Sequence, residues 1–178
     1  MSMSTQVQSP LLRFETALGT CGIRWSEAGI SEVLMPRSRM PHGAQAVDLD
    51  LAPEPVREAV AQIVALLGGE RRDLREIALD ESDLDAFQRA VYAATREIGP
   101  GETATYGEIA RAAGEPQAAR DVGATLGRNP FPIVVPCHRV LAADGALTGF
   151  SAPGGIETKR RMLEIEGAPG FTQQALFA

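Results

Sequence analysis

The stretch from Asn129 to Val140, NPFPIVVPCHRV, constrains this chain more than any other. Phe131 and the run Ile133 to Val135 are apolar, the pattern of a short buried strand. Pro130, Pro132 and Pro136 cannot donate to a ladder, so that strand is expected at a sheet edge or to end abruptly. Cys137 follows at once, one of two cysteines, beside His138, one of two histidines. A soft nucleophile is thus held where a rigid run stops. The local residues leave two readings open: a small buried hydrophobe, as free cysteines commonly are, or a reactive sulfur. A thiolate needs help to form, because a free cysteine is mostly protonated at neutral pH. Neighbours on a strand point to opposite faces, so His138 reaches the sulfur through a water, or if the chain turns after Pro136.

The 178 residues, 44% hydrophobic and 22% charged, suffice for one or two small domains with a real core. No apolar run approaches membrane-spanning length, and MSMSTQVQSP lacks a charged-then-apolar signal pattern. Two cysteines without a framework then point to the cytoplasm and to no membrane partner. Cys21 and His42 are too few for a structural zinc site, so no metal is expected. A net charge of −6 argues against a general electrostatic grip on nucleic acid. The charge is unevenly spread, which softens that exclusion: residues 1–99 balance to −5, whereas residues 103–163 carry 7 basic and 5 acidic side chains. Weak binding with a shallow salt dependence is the expectation.

Leu11 to Met35 reads as β structure, with Cys21, Ile23 and Trp25 on one face and turns at Gly19 and Gly29. Cys21 is expected to fill the core, and residues 36–53 to form an irregular connection with His42 in solvent. Val56, Val60, Ile63, Val64 and Leu67 share one face of a helix that Gly68-Gly69 stops. Leu74 to Leu79 reads as a further strand. Glu81-Ser82-Asp83 marks a boundary between halves, and Ser82 with Asp85 resembles a capping box. The next helix buries Leu84, Phe87, Val91, Ala94 and Ile98. Two short helices, Tyr106 to Ala113 and Gln117 to Leu126, flank the turn Gly114-Glu115-Pro116, a helix–turn–helix connection. Gly123 costs the second of these stability, so a close neighbour is expected there: another helix of the same protein, or something that docks. A last helix, Gly155 to Glu166, carries Lys159, Arg160 and Arg161, and its final carboxylate opposes the macrodipole.

PCHRV, preceded by GRNPFPIVV and followed by DGALTGF and a basic helix ending LEIEG, resembles the O6-alkylguanine-DNA alkyltransferase (methylated-DNA–protein-cysteine methyltransferase) family. The resemblance runs from Phe87 to Gly167. It implies an α/β N-terminal domain over 1–80, a small antiparallel sheet with a helix, ribonuclease-H-like. A mainly helical C-terminal domain over 81–178 would carry a helix-turn-helix, winged-helix-like DNA-binding motif. The implied activity is direct DNA repair, in which the alkyl group, most often methyl, moves irreversibly from O6-alkylguanine to Cys137, one protein molecule per lesion. His138 and Glu166 would form the relay that deprotonates Cys137 through a water, and Asn129 would brace the turn. The partner would be double-stranded DNA, entered from the minor groove by the helix bearing Ala119 and Gly123, with the damaged base flipped out. Arg120 would replace that base in the stack, and Arg139 would also contact DNA. Tyr106, Val140, Phe150, Ser151 and Lys159 would surround the base. No cofactor is implied, and a monomer suffices.

Three features depart from the family pattern. Phe150 stands where many members have tyrosine, SAPGG is about two residues longer than the common loop, and Asp121 lies beside Arg120. Substrate range and DNA affinity are the properties they touch. One alternative is an alkyltransferase-like protein that binds lesions with weak or no transfer, but such relatives typically replace the cysteine. A cysteine hydrolase is the other, and the helix–turn–helix context gives it no support.

Overall fold

A computed structural model describes residues 9–150 and 152–171. Its first three strands, β1 (Pro10–Thr16), β2 (Gly19–Ser26) and β3 (Gly29–Leu34), form the expected antiparallel meander. The turn into β3 admits only glycine: Gly29 has φ +142°, and a Cβ there would lie 2.6 Å from the Ala78 carbonyl oxygen. A two-residue strand, β4 (Gln45–Ala46), pairs parallel with β1, so the sheet is mixed, in the order β3-β2-β1-β4. Cys21 and Ile23 are fully buried on its inner face, and His42 is exposed, both as expected.

Helix α1 (Glu54–Leu67) carries a proline in its first turn and ends at Gly68. Its inner face is Val56, Ala59, Val60, Ile63, Leu66 and Leu67. Val64, expected on that face, sits at its margin and is 38% exposed. The strand expected from Leu74 to Leu79 is reduced to one bridge between Ile30 and Leu79. The carbonyls of Leu74, Arg75 and Ile77 are instead taken by one group, the Arg96 guanidinium, at 2.9, 2.9 and 2.8 Å. A single long side chain thereby satisfies backbone that would otherwise have sought a ladder.

Helix α2 (Ala86–Arg96) starts from Asp85, which accepts from Gln88 N while the Gln88 side chain returns to the Asp85 N–H. Ser82, expected as the cap, spends its hydroxyl on Asp80. Tyr92 is fully buried and ties α2 to the second half of the chain: its hydroxyl donates to the Thr125 carbonyl at 3.0 Å, and its ring meets Phe131 edge-on. Then come β5 (Ala104–Thr105), α3 (Tyr106–Ala112), α4 (Ala119–Gly127), β6 (Val140–Leu141) and α5 (Gly155–Glu166). Thr105 and Glu108 cap α3 reciprocally, and Gly114, at φ +83°, makes the turn between α3 and α4. One apolar core runs from the sheet through α1 and α2 to Phe131, Ile133 and Met162.

Two contacts fix the later elements around residue 137. Strands β5 and β6 pair in parallel, Ala104 with Val140 and Thr105 with Leu141, which sets the start of α3 beside the PCHRV stretch. The Val33 N–H donates to the Pro130 carbonyl at 2.9 Å, so the edge of the sheet supports the loop before Cys137.

Candidate active site

The run Phe131–Val135 is buried as expected, at 0–2% exposure for its four apolar side chains, but it is a turn and not a strand. Three prolines strip donors from it, and the remaining polar groups close on themselves. The Phe131 N–H donates to Asn129 Oδ1 at 2.8 Å, Asn129 Nδ2 donates to the Val135 carbonyl at 2.9 Å, and Val135 N–H returns to the Phe131 carbonyl at 2.8 Å. The centre of the turn is Ile133 at φ +76°, an unfavourable conformation for a β-branched residue, held there by complete burial of its side chain. Cys137, His138 and Arg139 then form a single 3-10 turn. The chain does turn after Pro136.

Cys137 is partly exposed, on a cavity of about 190 Å³ that Val33, Met35, Asn129, Pro132, Phe150 and Ala152 help to line. Its dense surroundings push the thiol up, while the Asn129 side chain, the Lys159 ammonium and the backbone N–H groups of residues 137 and 138 pull it down. Burial dominates, so the resting group is a thiol. Nothing in the sequence flagged Val33 and Met35 as walls of this cavity, since it is the fold that brings β3 against the loop.

His138 is 0% exposed and its Nε2 lies 2.8 Å from Glu166 Oε1. Burial lowers its proton affinity, against the pull of Glu166, so the imidazole is neutral. Burial pushes the Glu166 carboxyl up, but His138 and Arg139 outweigh it and hold it at about 2. An ionised Glu166 accepts, which assigns the hydrogen to Nε2. Nδ1 is then a bare acceptor, and among the described residues it has no hydrogen-bond partner.

Arg139 corrects the expectation of a DNA contact. It is 5% exposed and its donors are spent inside the protein: Nε to Glu166 Oε2 and Nη2 to Glu166 Oε1, both at 2.8 Å, and Nη1 to the Ile98 carbonyl at 2.6 Å. Lys159 is also buried; its Nζ donates to the Val140 carbonyl at 2.7 Å and the Thr148 carbonyl at 3.1 Å, and lies 5.9 Å from the Tyr106 ring centre. Burial lowers its ammonium to about 8, with Cys137 opposing. The Tyr106 hydroxyl donates to the Thr148 carbonyl at 3.3 Å, so Tyr106, Val140 and Lys159 come together with Thr148, a residue the sequence did not single out. Phe150 lines the thiol cavity, and Ser151 lies outside the described residues.

Arg120 is exposed in the first turn of α4, and among the described residues it forms no ion pair, with Asp121, Glu115 or any other acid. Ala119 and Gly123 are half-buried on the same helix. The close neighbour expected at Gly123 is the Tyr106 ring, but a Cβ would meet it at 3.8 Å, an ordinary contact. Packing within the protein therefore does not require glycine there.

Residues 86–168 match the 6-O-methylguanine DNA methyltransferase, DNA binding domain. The methylated-DNA–protein-cysteine methyltransferase of Methanosarcina acetivorans is 44% identical over 112 residues, which are 63% of this chain and 69% of that protein. The chain belongs to this family. The Haemophilus influenzae methylated-DNA–protein-cysteine methyltransferase is 50% identical over a shorter stretch, 47% of this chain and 46% of its own length. The crystal structure of Mycobacterium tuberculosis OGT in complex with DNA superposes with a TM-score of 0.73 at 34% identity, over 90% of this chain and 96% of that one. That likeness extends beyond the matched domain to the mixed sheet and α1, so the whole fold is that of the alkyltransferases.

Proposed function

We propose that this methyltransferase-family chain repairs O6-alkylguanine in double-stranded DNA directly, by moving the alkyl group onto Cys137. The observation that carries the reading is a buried His138, held to Glu166 through Nε2, whose Nδ1 has no partner among the described residues, in the same 3-10 turn as a part-exposed thiol. A water between them would pass the thiol proton to Nδ1 as sulfur attacks the alkyl carbon in line with the carbon–oxygen bond. The S–C bond forms, the C–O6 bond breaks, and guanine leaves and regains one proton. Thiol and alkylguanine become thioether and guanine, which balances without a cofactor. The thioether has no good leaving group, so each molecule acts once.

Asn129 braces the turn that aims the sulfur, and its two hydrogen bonds across residues 131 and 135 support that role. Exposed Arg120 is free to enter the stack where the base has left, a placement suited to a long planar cation. Ala119 and Gly123 give α4 a low profile for the minor groove. Tyr106, Val140, Phe150 and Lys159 surround the flipped base, Tyr106 through its hydroxyl and Val140 through its backbone, and the resemblance adds Ser151 to this set. We read the sheet with α1 as a ribonuclease-H-like domain over 1–80, and 81–178 as a winged-helix-like DNA-binding domain. No helix among the described residues is long and apolar enough to cross a membrane; a cytoplasmic monomer is the simplest vehicle for this reaction. A lesion-binding role without transfer gains nothing from a cysteine with a proton relay beside it.

The test lies on the DNA side. A duplex with one O6-methylguanine is incubated with protein and digested to nucleosides. The modified nucleoside should fall one-for-one with added protein, and deoxyguanosine should rise by the same amount, while Cys137→Ala leaves the lesion intact. A lesion that survives an excess of wild-type protein overturns the reading.

A further inference from the structure

Glu166 has two neighbours competing for it, and its geometry favours one. Arg139 approaches side-on with two parallel hydrogen bonds, one to each carboxylate oxygen, while His138 shares only Oε1. The third anchor, Arg139 Nη1 to the Ile98 carbonyl, fixes the guanidinium to the backbone just beyond α2. The charged groups facing His138 are Glu166 and Lys159 from α5 and Arg139 from its own turn; the titratable Cys137 next to it rests as a thiol.

We propose that Arg139 is a positioning residue for alkyl transfer, one that neutralises Glu166 so that His138 keeps its hydrogen on Nε2 and leaves Nδ1 bare to take the thiol proton. The inference rests on the repair reading above. A buried carboxylate with only an imidazole beside it would bind one extra proton between the two groups. If the imidazole holds it, both ring nitrogens carry hydrogen. If the carboxyl holds it, the acid donates to Nε2 and the ring hydrogen moves to Nδ1. In both states Nδ1 can no longer accept. Arg139 prevents this by supplying a permanent positive charge in place of the proton.

Arg139→Gln and Arg139→Lys separate charge from packing. With only two histidines, one of them the exposed His42, the His138 ring can be titrated by NMR without any reaction. The glutamine variant should raise the His138 titration midpoint by about 1–3 pH units. Its single-turnover transfer rate should fall about tenfold at pH 7 and recover as pH rises through the same interval. The lysine variant keeps the charge and should keep the wild-type midpoint, even if urea unfolds it sooner. An unshifted glutamine midpoint and pH–rate profile, or a lysine variant shifted as far as glutamine, overturns the proposal. Since the NMR titration needs no transfer, failure of the repair reading would appear separately, as wild-type protein that leaves the lesion in place.

Discussion

Glu166 stands in the last turn of α5, where the macrodipole disfavours a carboxylate, and its side chain is 2% exposed. The sequence exposed the anomaly but only the resemblance supplied a partner, His138. The second partner, Arg139, was legible as a charge and not as a location. An arginine beside a nucleophile reads as a surface contact, and nothing local reveals carbonyl and carboxylate acceptors 41 and 27 residues away. Those partners make a sharp stability prediction. Glu166→Gln strands a buried guanidinium and should cost about 3–5 kcal/mol in urea unfolding at pH 7. The folded carboxyl sits at about 2, below its ordinary 4.5, so its contribution is fully present above pH 4.5 and is lost as pH falls towards 2. The gap between wild type and variant should narrow over that window. His138, also lowered, adds to the loss of wild-type stability below its ordinary 6.5. A constant gap from pH 7 to 3 would contradict the ion-pair account.

The elements were read best where their periodicity was long and their ends were punctuated. The β1–β3 meander, α1 and the α3–α4 pair all lie where alternation, helical spacing and glycine turns put them. Two strand assignments failed for one physical reason: an apolar run does not say where its backbone groups go. At 74–77 three carbonyls go to Arg96, and at 131–135 the polar groups go to Asn129 and to the turn itself. Proline had already announced that the second run could not complete a ladder, and the structure carries this further, from an edge strand to no strand. In α4 one of the two readings of Gly123 loses its support, since packing inside the protein does not call for glycine there. Gly123 has room for a methyl, so Gly123→Ala should stabilise the free protein by about 0.5–1 kcal/mol through helix propensity. If α4 enters a DNA groove, the same change should weaken lesion-duplex binding. A calorimetric Tm that rises while affinity falls supports both statements, and a Tm that drops contradicts the packing described at Tyr106.

Across the whole molecule, the site is an intersection of segments distant in sequence: a sheet edge at Val33, a turn at 129–137, the start of α3 at Tyr106, the loop at Thr148 and the end of α5 at Glu166. The short parallel pairing of β5 with β6 and the bond from Val33 to Pro130 bring them together. Neither is visible in the sequence, because two-residue strands and single backbone bonds leave no periodic trace. Residue identities were more legible than geometry, since PCHRV and the terminal LEIEG are the stretches on which the resemblance rests. The claim on which all of this converges is that Cys137 keeps the alkyl group. It is tested most directly by the intact mass of the protein after incubation with duplex DNA carrying O6-methylguanine. The account predicts a gain of one methyl group per molecule, mapped to Cys137 and absent from Cys137→Ala. An unchanged mass in protein that binds the lesion, or a methyl group on any other residue, would contradict it.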